Sequence, residues 1–129
     1  MIVDTSALVA IFYGEPEGPE FTRLIHDAPV CRISVASLIE LSMVIEGQLG
    51  PDAGRQADAY LRRAGVAVEP ITIEQGQLAR QAFLDFGKGR HPAGLNFGDL
   101  FSYALSKATG EPLLFKGADF RRTDVTAAR

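Results

Sequence analysis

Apolar positions along the chain follow two periodicities. Short continuous runs rich in Val, Ile and Leu alternate with longer stretches in which apolar residues recur every third or fourth position. Ile2-Val3 reads as a short buried strand, and Ala7 to Phe12 as the helix that follows it, with Thr5 or Ser6 as N-cap. Gly14, Pro16, Gly18 and Pro19 mark a turn before a helix carrying Phe21, Leu24 and Ile25, which Asp27-Ala28-Pro29 ends. Val30 to Ile33 is a second strand. Ser34 is a candidate N-cap, and Ser37-Leu38-Ile39-Glu40 has the spacing of a capping box at the head of a helix through Met43, Val44 and Ile45. Pro51-Asp52 opens another helix, with Ala57, Tyr60, Leu61 and Ala64 inward and Gly65 as its stop. Val66 to Ile71 is a third strand, ended by Pro70.

The second half repeats the alternation. Thr72 to Gln75 has capping-box spacing before a helix with Leu78, Ala79, Ala82, Phe83 and Phe86 on one face. Lys88 to Gly94 reads as a mobile basic loop. Asn96 caps a helix whose predicted apolar face is Phe97, Leu100, Phe101, Ala104, Leu105 and Ala108. Leu113 to Lys116 is a fourth strand, Gly117 to Phe120 a loop, and Asp124-Val125-Thr126 a last strand. Strands separated by helices predict an α/β domain with a mostly parallel sheet of four to five strands covered on both faces. No repeat or linker divides residues 1–129, so one domain is expected.

Composition narrows the class. With 47% hydrophobic and 22% charged residues over 129 positions, the chain can bury a core and is not a disordered one. No apolar run approaches the roughly 18 to 20 residues of a membrane span, and no secretion signal is visible at Met1-Ile2-Val3-Asp4. Cys31 has no partner for an internal disulfide, which fits a reducing cytoplasm. The formal net charge of −3 argues against binding nucleic acid by bulk electrostatics, though not against local contact with a strand.

Four acidic residues share one property of position. Asp4 ends strand one, Glu40 lies in the helix after strand two, Asp99 lies in the first turn after Asn96, and Asp119 follows strand four. In a parallel sheet all four fall at the carboxyl edge, where ligands bind. Each alone has a structural explanation, since an acid near a helix start complements its dipole. Together they conflict. Two carboxylates ~5 Å apart at an effective dielectric of ~20 repel by about 3 kcal/mol, and the six pairs among four would reach roughly 20 kcal/mol. That exceeds the ~5–15 kcal/mol by which a domain is stable, so protonation or a hard divalent cation must neutralise the group. A cation so held suggests metal-assisted phosphodiester hydrolysis.

The segments Ile2 to Leu8, Ile33 to Glu40, and Leu95 to Leu105 through Leu114 to Phe120 and Thr123-Asp124-Val125 resemble PIN-domain ribonucleases, in particular the VapC toxins of bacterial toxin–antitoxin pairs. The resemblance covers essentially the whole chain and is most specific from Leu95 to Val125. It implies a three-layer α/β/α fold and a Mg²⁺- or Mn²⁺-dependent endoribonuclease. It also implies a cognate VapB-like antitoxin and a homodimer. The family's acidic quartet carries over onto Asp4, Glu40, Asp99 and Asp119. Asp4 and Asp99 are then the leading metal ligands, Glu40 a ligand through water or the base that orients the nucleophile, and Asp119 a further metal or water contact. Many relatives carry Asp or Asn where this chain has Ala118, which removes a polar contact beside Asp119. Asp124 is either an outer contact of the site or the end of the last strand.

RNA contact must come from local charge, and Lys88, Arg90 and His91 before Asp99, with Lys116, Arg121 and Arg122 around Asp119, supply it. His91 beside Pro92 reads as a loop residue rather than a ligand. Two other readings compete. A haloacid-dehalogenase-like phosphatase needs a second Asp two positions after the first, where this chain has Ser6. A PIN-like binding module without catalysis would lose the acids, and all four are present.

Overall fold

The computed structural model describes residues 1–129. Its four strands are β1 (Ile2–Val3), β2 (Cys31–Ser34), β3 (Val66–Glu69) and β4 (Leu113–Leu114). All pair in parallel, in the order β3-β2-β1-β4. Six helices surround them: α1 (Thr5–Phe12), α2 (Gly18–Asp27), α3 (Val35–Leu49), α4 (Pro51–Arg63), α5 (Ile73–Phe86) and α6 (Phe97–Thr109). None is long and apolar enough to cross a membrane.

Strand pleating builds the three layers. Ile2 and Val3 are neighbours in sequence and both fully buried, yet they enter different cores. Val3 and Leu114 pack with Leu8, Phe21, Leu41, Ile45 and Leu61 beneath α1 to α4. Ile2 and Leu113 pack with Ala82, Leu95, Tyr103 and Leu105 beneath α5 and α6. A sheet buried on both faces explains why its strands read as continuous apolar runs. The strand order reverses between β1 and β4, so the crevice expected at the carboxyl edge of such a sheet opens between the chain's first and last strands.

Several local expectations are corrected. The predicted strand Asp124-Val125-Thr126 is absent as such. One parallel bridge joins Leu113 to Ala127, with Leu113 N–H donating to Thr126 C=O and Ala128 N–H to Leu113 C=O. The tail thus lies along β4, displaced toward the C-terminus from where β-propensity alone puts it. Asp4, not Thr5 or Ser6, caps α1, because its side chain is one residue ahead of the first helical turn and accepts the Ser6 N–H. Ser34 caps α3, which leaves Ser37 inside the helix and removes the capping box proposed for Ser37 and Glu40. The Lys88 to Gly94 loop is pinned: Lys88 N–H donates to Leu95 C=O, Leu95 N–H to Phe86 C=O, and Ala93 is buried.

Candidate active site

Asp4 leaves β1 at the sheet edge and is only 4% exposed. Three donors converge on it. Ser6 N–H and Ser6 Oγ donate to Oδ2 at 3.0 and 2.6 Å, and Ser102 Oγ donates to Oδ1 at 2.5 Å. Ser102 lies one helical turn beyond Asp99 on α6, and its hydroxyl also meets Ser37 Oγ of α3 at 3.0 Å. Thr5 donates to Ser37 C=O, which fastens α1 to α3 beneath the site. Ser6 Oγ in turn accepts the N–H of Lys116 in the segment that leads to Asp119. A buried carboxylate is costly unless its lone pairs are met, and hydrogen bonds to charged groups are the stronger kind. These hydroxyls therefore fix where Asp4 points.

Asp99 is presented by a complete capping box. Asn96 Oδ1 accepts the Asp99 N–H, and Asp99 Oδ2 accepts the Asn96 N–H, both at 3.0 Å. The helix-start role and a site role are thus compatible, since the box occupies Oδ2. Burial is the largest influence on the Asp99 carboxyl and raises its pKa; the Asn96 N–H opposes this, and the charges of Asp4, Glu40 and Asp119 raise it further, to about 6. The charges of the three other acids thus all reach Asp99. Glu40, in the second turn of α3, lies against Gly98: a Cβ built on Gly98 would clash with the Glu40 carboxyl group, 2.8 Å from its Cδ. Asp119 is exposed at the start of a single 3₁₀ turn, Phe120–Arg122, and makes no capping hydrogen bond.

The remaining candidates separate. Asp124 accepts from Tyr103 Oη at 2.7 Å and Lys107 Nζ at 3.1 Å, so it ties the C-terminal tail to the later turns of α6. Burial works against its charge, but those two donors hold its carboxyl below the usual range. His91 Nδ1 accepts the Ala93 N–H, and its ring meets Phe86 edge-on, which makes it a turn residue. Lys116 is paired with Glu15 and Glu17. Arg122 donates to Pro92 C=O at 3.1 Å, which joins the two basic segments into one rim. Ser6, where a phosphatase of the dehalogenase type needs its second Asp, is committed to orienting Asp4.

Compared with known families, the chain matches the PIN domain over residues 1–125. It belongs to the PIN domain family. A relative from Mycolicibacterium smegmatis named Ribonuclease VapC is 50% identical over 127 residues, with 98% of each chain covered. Two solved structures share the PIN fold. One is Mycobacterium tuberculosis VapC20, described as a sarcin-ricin loop cleaving toxin, with a TM-score of 0.79 at 24% identity and coverage of 99% and 98%. The other is VapBC2 from Rickettsia felis bound to a promoter DNA fragment, with a TM-score of 0.76 at 14% identity and coverage of 98% and 94%.

For this PIN domain the donor set suits a hard divalent cation, because every candidate ligand is a carboxylate and their charges already crowd Asp99. No three acidic side chains are gathered into a closed ligand cluster. The fit therefore rests on donor chemistry and on charges that a cation would relieve. Gly98 and Ser102 escaped the reading of the sequence, and Ser37 entered it only as a helix cap. The two serines interrupt apolar helix runs, and Gly98 sits in a first helical turn where it weakens the helix, so each carried a faint signal.

Proposed function

We propose that this chain is a divalent-metal-dependent endoribonuclease that hydrolyses RNA phosphodiester bonds and serves as the toxin of a toxin–antitoxin pair. The observation that carries this reading is geometric: Ser6 and Ser102 hold the buried Asp4 carboxylate beside the helix whose first turn presents Asp99, and Glu40 packs against Gly98 in that same turn. Mg²⁺ or Mn²⁺, held foremost by Asp4 and Asp99 and supported by Glu40 and Asp119, would supply charge neutralisation and a more acidic water at neutral pH. Ser6 and Ser102 keep Asp4 aimed, and the Asn96 N–H holds Asp99 by Oδ2. Glu40, braced on Gly98, is the group to take a proton from the attacking water.

The partner reading has its own support. Ile39 and Met43 are exposed on either side of Glu40, one turn apart on α3, and an apolar antitoxin segment would cover them. A basic side chain from that segment would then meet the acidic crevice. The chain would act in the cytoplasm, as a homodimer.

The test is cleavage of end-labelled single-stranded RNA by purified, antitoxin-free protein in Mg²⁺ or Mn²⁺, beside chelator and Asp99→Asn controls and a generic phosphate monoester. Cleavage of RNA alone, abolished by both controls, supports the reading. Cleavage that survives Asp99→Asn rejects the site.

A further inference from the structure

Lys116, just past β4, is attached to α1 at two points. Its main-chain N–H donates to Ser6 Oγ at 3.0 Å, in the first turn of α1. Its ammonium is paired with Glu15 and, at 3.3 Å, with Glu17, in the turn by which the chain leaves α1 for α2. That turn is itself firm. Glu15 N–H donates to Ala10 C=O and Gly18 N–H to Glu15 C=O, both at 2.9 Å, and a Cβ on Gly18 would lie 3.1 Å from the Ala10 carbonyl oxygen, so α2 starts in close contact with α1. Beyond Lys116 the backbone turns through Gly117 at φ +104°, which side chains rarely adopt. It is next fixed at the buried Phe120, whose ring packs 5.2 Å from that of Phe115. Asp119 lies in the short span between these two anchors and makes no capping hydrogen bond of its own.

We propose that the clamp of Glu15, Lys116 and Glu17 positions Asp119 for hydrolysis, and that Lys116 is a positioning residue rather than a contact for substrate phosphate. The inference rests on the ribonuclease reading above and names what holds its fourth acid. One hydrogen bond leaves a segment free to swivel about it, and the second attachment, at the ammonium, removes that freedom. The same residue serves Asp4, because the Ser6 hydroxyl that accepts from Lys116 is the one that donates to Asp4 Oδ2 at 2.6 Å. Charge decides against the phosphate role. One ammonium between two carboxylates leaves a local charge that is net negative and repels a phosphodiester. Glu15 foremost, with Glu17, also holds the Lys116 pKa above its ordinary value, so the ammonium stays charged within the clamp. Exposed ion pairs contribute little to stability, which puts the clamp's effect in the geometry of the site rather than in folding.

The experiment follows cleavage of end-labelled single-stranded RNA and, by calorimetry, binding of Mn²⁺ alone. The full chain is compared with Lys116→Met, with Glu15→Gln and Glu17→Gln together, and with all three substitutions combined. Each clamp variant is expected to lose about tenfold in kcat and to bind Mn²⁺ more weakly, with the KM for RNA and its salt dependence unchanged. The triple variant is expected to be no worse than Lys116→Met, since every substitution opens the same clamp. Urea midpoints are expected to stay near the parent's. A raised KM and a flatter salt dependence in Lys116→Met, with kcat kept, overturn the proposal, because the ammonium then meets phosphate. So does a loss in Lys116→Met that the two glutamine substitutions fail to reproduce, and so do kcat and Mn²⁺ affinity equal to the parent's. The ribonuclease reading fails separately. A parent that binds Mn²⁺ yet cuts no RNA removes that reading, and Mn²⁺ affinity alone then decides the clamp; a parent that does neither removes both.

Discussion

The Glu40 carboxylate occupies the space that a side chain on Gly98 would fill. Two helices meet at this point, and the absence of a Cβ on α6 is what lets an acid of α3 reach the turn that carries Asp99. Gly98→Ala separates site geometry from folding, since Ala favours a helix over Gly by up to ~1 kcal/mol. The expected outcome is a melting temperature equal to or above the parent's, with RNA cleavage reduced to the level of Glu40→Ala. Unaltered cleavage would show that Glu40 has no place in the chemistry.

Asp99 sets a pH dependence of stability in metal-free protein. Its pKa is about 6 when folded, against an ordinary 3.8, so the folded state binds the extra proton between those values. Stability therefore falls as pH rises from about 4 to about 6 and levels off above. Partial exposure screens the effect, and Asp99→Asn is expected to stabilise the chain by about 1 kcal/mol at pH 7 while removing the slope. Urea titrations in chelator across this range give both values.

Ser102→Ala takes one donor from a buried carboxylate. A loss of about 2 kcal/mol is expected from the charged hydrogen bond to Asp4, against about 1 kcal/mol for Ser37→Ala, which touches only the neutral hydroxyl. Chemical denaturation ranks the two variants.

Asp119 and Asp124 are both exposed acids near the C-terminus, and their partners distinguish them. Asp124→Asn and Tyr103→Phe are expected to lower stability by at most about 1 kcal/mol and leave the cleavage rate unchanged. Asp119→Asn is expected to do the reverse, with cleavage lost and the melting temperature kept. Paired rate and melting measurements on the three variants check this.

The layers were legible because burial on both sheet faces writes continuous apolar strands between amphipathic helices. The edge shared by Asp4, Glu40, Asp99 and Asp119 was legible for a topological reason, since strand ends and following helix starts fall on one side of a parallel sheet. Finer features depended on which competing local bond won. Asp4 displaced Thr5 and Ser6 as cap, and Ser37 satisfies its hydroxyl across the core at Ser102 instead of at a helix start. Phe97 followed the apolar period and is exposed in the single chain, because periodicity reports a helix face and not what covers it.

The strand order places β1 between β2 and β4, so the first strand of the chain lacks its second neighbour until residues 113 and 114 have been made. The four acids are spread from residue 4 to residue 119 in the same way. A growing polypeptide holds the first two carboxylates long before the last two, and none of its intermediate lengths contains the crevice. Hydrolytic competence would thus arrive in one step near the end of synthesis. No chain that ends before Asp119 holds all four acids, whatever else of the fold it has already formed.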